Sequence, residues 1–260
     1  MIGRMPGGFV LAALISIIAR RARSLTASGA VAATVIGTLA LAADLSWGLL
    51  LIVYFAASAA LSHLGKASKE RRTASILAKS GPRDAVQVLA NGAMFGAAAL
   101  GAMLGPDVRW IALVAGSLAA SAADTWATEI GTLYGGSPRS ILTLRTVPVG
   151  TSGGISAIGT IAAVAGALFV AMVVAALGWT WIVVRNVIIG GVAGALVDSL
   201  LGATVQSRRR CDACGRETER AVHDCGTPTR HVRGLTWLDN DMVNFLSNAA
   251  GALVAVLLPR

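Results

Sequence analysis

Charge is what this sequence has least of: 13% of its 260 residues are Asp, Glu, Lys or Arg, about half the share of an ordinary soluble domain. So little polar surface cannot cover a soluble globule of this length, which excludes a cytosolic fold. Aromatic residues are also sparse, at 5%, and most fall within apolar runs. That removes the base-stacking surface a nucleic-acid reader uses, so nucleic acid is not expected as a partner despite a net charge of +9. A cleavable signal peptide is not expected either. The apolar stretch from Phe9 to Ala19 is followed, not preceded, by Arg20, Arg21 and Arg23, the reverse of the order such a leader shows.

What is present is apolar material in long blocks. Hydrophobic residues make up 55% of the chain and mean hydropathy is +0.70. Eight segments, at 6–19, 27–43, 47–64, 84–104, 109–128, 153–177, 180–204 and 240–258, read as helices. Crossing a hydrocarbon core takes roughly 17–25 residues, so the first segment is short and is tilted, re-entrant or interfacial. The spacing predicts an all-α polytopic transmembrane bundle of eight spans, or seven if that segment lies in the interface. All 260 residues are expected to form a single transmembrane domain, with the polar loop at 206–238 as its largest extramembranous part.

The basic residues orient it. With the first segment's C-terminal end in the cytoplasm, cytoplasmic loops hold Arg20, Arg21, Arg23, Lys66, Lys69, Arg71, Arg72, Lys79, Arg83, Arg139, Arg145, Arg208, Arg209, Arg210, Arg216, Arg220, Arg230 and Arg233. The other side holds Arg4, Arg109 and Arg260, with Arg185 near that face. So lopsided a partition predicts a protein of the inner, cytoplasmic-type membrane with both termini outside. Glycine and alanine crowd the spans, where they allow close helix approach. Ser28-Gly29-Ala30-Val31 and Ser152-Gly153-Gly154-Ile155 both read as openings of helices that leave the cytoplasm, a weak hint of a parallel repeat.

Ionisable groups within membrane segments are costly and mark function by default. Asp84, Gln87 and Asn91 share one helical face. The fifth segment ends in Asp124-Thr125-Trp-Ala-Thr128-Glu129, the seventh carries Asp198-Ser199 and then Gln206, and the eighth opens on Asp239-Asn-Asp241 with Asn244 and Asn248 on one face. Asp239 also suits a helix N-cap. Carboxylates gathered at one membrane face repel one another unless cations intervene, which suggests Mg²⁺ on Asp124, Glu129 and Asp198. The blander alternative is buried ion pairs and hydrogen bonds. Between Gly135 and Gly154, Arg139 and Arg145 with Thr151, Ser152, Gly153 and Gly154 precede a helix and resemble an anion cradle, though without a Walker A ending; a tight packing turn is the alternative. Cys211-x-x-Cys214 and His223-x-Cys225 use every cysteine in the chain. Four such ligands in fifteen residues suit a structural, tetrahedral Zn²⁺. Reduced, unligated thiols are the alternative.

Four motifs in order, Asp124-Thr-Trp-Ala-Thr-Glu129-Ile-Gly131, Val147-Pro-Val-Gly-Thr-Ser-Gly-Gly154, Asp198-Ser-Leu-Leu-Gly202-Ala-Thr-Val-Gln206 and Leu238-Asp-Asn-Asp-Met-Val-Asn244, resemble the integral-membrane family that includes the plant phytyl-phosphate kinase of vitamin E biosynthesis. The resemblance covers nearly the whole chain, the Cys/His segment apart. It implies transfer of a phosphoryl group from a nucleoside triphosphate, with CTP a candidate, to an isoprenyl monophosphate in the bilayer. In that reading Asp124, Glu129, Asp198, Asp239, Asp241 and Asn244 form the catalytic set. Lys66, Lys69, Arg83, Gln87, Asn91, Thr125, Arg139, Arg145, Thr151 to Gly154, Ser199 and Gln206 contact substrate. A cytidylyltransferase that makes a CDP-lipid and a transporter of an anionic lipid or metabolite are the rivals. A homo-oligomer is compatible with the sequence.

Overall fold

A computed structural model describes residues 5–259; Arg4 and Arg260, which the charge partition assigns to the far side, lie outside the described residues. The fold is helical. Its elements are α1 (Met5–Arg21), α2 (Ala27–Ala43), α3 (Leu45–His63), α4 (Lys66–Thr73), α5 (Ala85–Leu104), α6 (Arg109–Tyr134), α7 (Ala157–Ala176), α8 (Trp181–Thr204) and α9 (Asn240–Leu257). Two small antiparallel sheets lie in the loops. One pairs β1 (Arg139–Ser140) with β2 (Gly154–Ile155); the other has the order β4-β3-β5, from β3 (Arg208–Cys211), β4 (Arg216–Thr218) and β5 (Arg230–Arg233).

Among the described residues, α3, α5, α7 and α8 are long and apolar enough to cross a membrane, and α2 is a shorter apolar helix. Large apolar side chains such as Phe9, Leu14, Val31, Val35, Ile161, Met172, Ile189 and Leu253 point outward. In water that surface would be a liability; in lipid it is the solvent-facing surface.

The expected segments match these helices with three departures. The polar stretch Lys66–Thr73 is itself a helix, α4, which packs on α6. Its cations close other helices: Lys69 Nζ donates to the carbonyls of Leu61 and Ser62 at 2.8 and 3.0 Å, and Arg72 Nη1 to those of Thr132 and Leu133 at 2.9 and 3.0 Å. Positive charge at helix C-termini satisfies their orphan carbonyls and opposes their dipoles. Second, α6 runs on to Tyr134, so Glu129 lies within the helix. Third, residues 153–156 are not helical. Gly154 and Ile155 form β2 and Ser156 is the N-cap of α7, its hydroxyl accepting from Gly159 N–H. The matched openings read as a repeat therefore differ: Ser28 sits inside α2, whereas Ser152 lies in a loop.

The centre of the bundle is α6, which packs on α3, α5, α7, α8 and α9. Close approach explains its alanine content. A Cβ added at Gly194 of α8 would lie 2.4 Å from Ala120 Cβ, and one at Gly166 of α7 would lie 2.6 Å from the Ala122 carbonyl oxygen. Toward the far end, larger side chains including Trp47, Leu50, Phe95, Val114, Leu118, Val174 and Val187 complete the core. Arg185 is tied there to the Pro259 carbonyl at 2.6 Å.

The loops after α1, α3, α6 and α8 all meet at the opposite end. Arg83 N–H donates to the Ser24 carbonyl and Thr26 N–H to that of Arg83, both at 3.0 Å, while Glu219 N–H donates to the Ile76 carbonyl at 2.8 Å. These loops carry the cationic majority. Reporters fused after Arg72 or Arg210 are expected to behave as cytoplasmic and those after Arg260 as external. A cytoplasmic C-terminus would remove the eight-span reading.

Candidate functional site

At that loop-rich end a cavity of about 540 Å³ opens between α5, α6, α7, α8 and α9. It is lined by Asp124, Thr125 and Glu129 of α6, Asp198 and Ser199 of α8, Asp239, Asp241 and Asn244 at the start of α9, Arg83, Gln87 and Asn91 at the start of α5, and Thr151–Gly154 with Gln206 from the loops. Long-range packing thus collects most of the residues singled out from sequence into one chamber. Four others are elsewhere. Lys66 makes a surface pair with Glu70 at 3.9 Å, and Lys69 is buried against Glu129 and the α3 carbonyls. Arg139 and Arg145 are exposed on the α6–α7 loop, outside the chamber lining.

The carboxylates are not equivalent. Glu129 is committed: Oε1 accepts from Ser62 Oγ at 2.7 Å and Oε2 pairs with Lys69 Nζ. Asp239 caps α9, accepting from Met242 N–H at 3.0 Å. Asp241 pairs with Lys79 Nζ at 2.6 Å, and Lys79 also pairs with Asp84 at 2.9 Å. Asp124 and Asp198 face each other across the α6–α8 contact, and among the described residues neither forms a salt bridge with a Lys or Arg. Asp198 Oδ2 is enclosed and has no hydrogen-bond partner among the described residues. Two close carboxyls without a counter-cation call for a shared proton or a bound cation.

Polar neighbours fix the walls. Asp84 and Gln87 form a reciprocal capping box at the start of α5. Asn91 Oδ1 accepts from Ser121 Oγ at 2.7 Å, and Ser121 Oγ shares a hydrogen bond with the Tyr54 hydroxyl at 2.5 Å. The 149–154 loop stops short of α7, whose N-cap is Ser156, so it is not itself a helix N-terminus. Its Thr151 and Gly154 amides are spent on turn bonds to Pro148 and Thr151, and Ser152 Oγ donates to Glu219 Oε1 at 2.6 Å. Gly153 is obligatory there. Its φ is +76°, and a Cβ would fall 2.6 Å from the Ala203 backbone nitrogen.

Lys79, Arg209 and Glu219 also line the chamber, and none stood out in the sequence. Lys79 reads there as one more topology charge. Glu219 sits in a hydrophilic hairpin and reaches the membrane site only because β4 leads directly into it. Its carboxylate accepts from Ser152 and from Gln206 Nε2 at 2.9 Å. Burial pushes the Glu219 carboxyl above its usual value, against the pull of Ser152 and the Arg208 guanidinium. Burial likewise lowers Arg208 from the ordinary guanidinium value.

Burial opposes the charges on Lys79 and Asp84, yet their mutual hydrogen bond, with Asp241 on Lys79 and the Gln87 amide on Asp84, raises the Lys79 ammonium and lowers the Asp84 carboxyl. The bridge is therefore intact between the two. It is lost as pH falls through the lowered Asp84 value and as it rises through the raised Lys79 value. Lys79→Met leaves Asp241 buried and unpaired. We expect a loss of about 1–2 kcal/mol, discounted from the cost of breaking a fully buried pair because Lys79 is partly exposed. Asp241→Asn in the same chain should restore part of it in detergent melting curves; an additive loss would mean that the pair carries no stability.

A narrow second cleft, lined almost wholly by apolar side chains of α1, α2, α3 and α5, ends on the same Arg83, Gln87 and Asn91 that border the polar chamber. Polar and apolar spaces thus meet at one wall.

Known proteins give the context. Residues 10–252 match the family described as Integral membrane protein DUF92. The chain is 29% identical to Protein PGR of Arabidopsis thaliana, over 92% of this chain and 90% of that one. It is 30% identical to the uncharacterized membrane protein sll0875 of Synechocystis, over 82% and 75% of the two chains. It is 28% identical to Protein VTE6, chloroplastic, of Arabidopsis thaliana, over 91% and 66%. No solved structure matches. The chain is an integral membrane protein and belongs to the DUF92 family, as its four ordered motifs implied.

Proposed function

We propose that this chain is a membrane-embedded phosphotransferase that moves a phosphoryl group from a nucleoside triphosphate, CTP being the first donor to test, to an isoprenyl monophosphate. The observation that carries the reading is the junction at Arg83, Gln87 and Asn91, where a charged chamber meets an apolar cleft. A phosphorylated isoprenoid has that division: its chain fits the cleft and its head the chamber. The motif resemblance to the family of phytyl-phosphate kinase supports the same chemistry.

Phosphoryl transfer demands positioning and neutralisation of charge more than covalent help from the protein. Lys79, Arg83 and Arg209 supply cations along the lining. The acceptor phosphate is largely dianionic at neutral pH, so its oxygen attacks the γ-phosphorus without a strong base, and the nucleoside diphosphate leaves as the bridging P–O bond breaks. A divalent cation such as Mg²⁺, held by chamber carboxylates, would supply neutralisation of the charge that develops on the phosphates. Asp124 and Asp198 fit it best, because among the described residues neither is in a salt bridge and one oxygen of Asp198 is unpartnered. Glu129, Asp239 and Asp241 are already engaged, so they shape the chamber around that pair.

The test is an assay of the detergent-purified protein with each nucleoside triphosphate and with phytyl, geranylgeranyl and polyprenyl phosphates, read by mass spectrometry. An isoprenyl diphosphate with release of nucleoside diphosphate is the expected product. A CDP-lipid with pyrophosphate would establish the cytidylyltransferase instead. Neither product, together with uptake of an anionic lipid into vesicles, would establish a transporter. The chamber's place at one end of the bundle speaks against that last reading, since transport sites lie near the midplane.

A further inference from the structure

We propose that Cys211, Cys214, His223 and Cys225 bind one zinc ion, and that this ion clasps the loop between α8 and α9 so that Glu219 is held in the chamber. The ligand atoms of these four residues lie within 4.8 Å of one another. Cys211 Sγ is 3.6 Å from Cys225 Sγ, and His223 Nδ1 is 3.2 Å from Cys225 Sγ. Tetrahedral zinc with bonds of about 2.0–2.3 Å places its ligands roughly 3.3–3.8 Å apart, close to these two separations. None of the three cysteines is in a disulfide.

The backbone gives a second, independent indication. Cys214 and Cys225 are each followed by a glycine with positive φ, +67° at Gly215 and +82° at Gly226. Gly215 N–H donates to the Cys211 carbonyl at 2.8 Å and Gly226 N–H to the His223 carbonyl at 2.9 Å. Two tight turns, each closed by a glycine with positive φ, thus present one ligand pair each, from opposite ends of the segment. Three thiolates and a dication leave the site with one negative charge, in a loop that carries Arg208, Arg209, Arg210, Arg216, Arg220, Arg230 and Arg233. The Asp224 carboxylate, 2.7 Å from His223 Nδ1, adds to the field that favours a cation.

The site cannot act as an open catalytic zinc, since all four positions are filled. What it does is mechanical. Cys211 ends β3 and pairs with Arg216 in β4, and Glu219 follows β4 by one residue. The second turn pairs back through Thr229, whose N–H donates to the Ala221 carbonyl and whose hydroxyl accepts from Arg209 Nε at 2.8 Å. Two of the chamber residues from this loop, Glu219 and Arg209, therefore depend on the turns the ion would join. That this matters for turnover rests on the phosphotransferase reading; the metal and the clasp do not.

The experiment begins with metal analysis of the full-length protein purified without chelator. About one zinc per chain is expected, falling below about a tenth in Cys214→Ser. Because that variant can fail to fold, wild-type protein is also stripped with a mercurial reagent, reduced and reloaded with cobalt. Visible d–d bands and thiolate-to-cobalt charge transfer of a tetrahedral thiolate site are expected. Hydrogen exchange at the Gly215, Glu219 and Gly226 amides should quicken by about tenfold or more in the stripped protein. Absence of zinc together with no cobalt spectrum would overturn the site. Metal binding with unchanged exchange at Glu219 would overturn the clasp. Neither readout uses catalysis, so both stand or fall apart from the proposed activity.

Discussion

Asn in place of Asp124 or of Asp198 is expected to lower turnover by about a hundredfold or more, the range seen when a group that stabilises transition-state charge is removed. The substitution keeps size and one hydrogen-bonding oxygen and deletes only the charge. If the two carboxyls merely hold α6 against α8 by sharing a proton, Asn satisfies the same contact and turnover stays within a fewfold. If they hold a cation, the loss is large, raising magnesium recovers part of it, and melting in detergent changes little or improves because two facing acidic groups become one. The measurement is turnover against magnesium concentration for wild type and both variants, with melting curves beside it. Near-normal turnover with unchanged metal dependence in both would move the reaction centre elsewhere. Glu129→Gln makes a useful contrast. Its oxygens are taken by Ser62 and Lys69, so its main expected effect is on stability.

The second large effect concerns the apolar cleft. Ala33 on α2 lines it, remote in sequence from every chamber residue. Ala33→Phe places a ring in the space assigned to the isoprenyl chain. Each methylene displaced from apolar contact costs about 0.8 kcal/mol, so loss of two already exceeds tenfold in binding. The expected result is KM raised about tenfold or more for a twenty-carbon isoprenyl phosphate. A five-carbon acceptor, whose chain stops near Arg83 and Asn91, should be used almost as well as by wild type. Equal losses for both acceptors would mean that the substitution distorts the α2–α5 packing. No loss for either would place the chain outside this cleft.

Much of the architecture was legible without coordinates, because the bilayer is a demanding solvent. A backbone in hydrocarbon must satisfy its hydrogen bonds within the helix, so apolar length announces each segment; α2 and α8 were read within a residue of their ends. The same physics marked Asp124 and Asp198, since a carboxylate inside an apolar run has no cheap alternative explanation. Capping chemistry offered the N-cap as the alternative to a catalytic role for Asp239, and Asp239 does cap α9; the CxxC and HxC spacings marked four residues that the chain does bring together.

Tertiary structure decided the rest, and for one reason: the polar loops obey no local period. Whether Lys69 clamps a phosphate or closes α3 depends on where Glu129 and the Ser62 carbonyl end up, and that is set by α4 lying on α6. Ser152 read as part of a helix start; it lies instead in a loop whose Thr151 and Gly154 amides close turns and whose Ser152 hydroxyl is spent on Glu219. Lys79 and Glu219 gave no signal, because an exposed-looking charge in a hydrophilic segment is the ordinary case until packing buries it. The chain's apolar pattern determined which residues form the long helices and which polar segments separate them. Which carboxylates stay free of a protein cation emerged only when the loops had closed over the helix ends, where each ion pair is chosen by three-dimensional proximity.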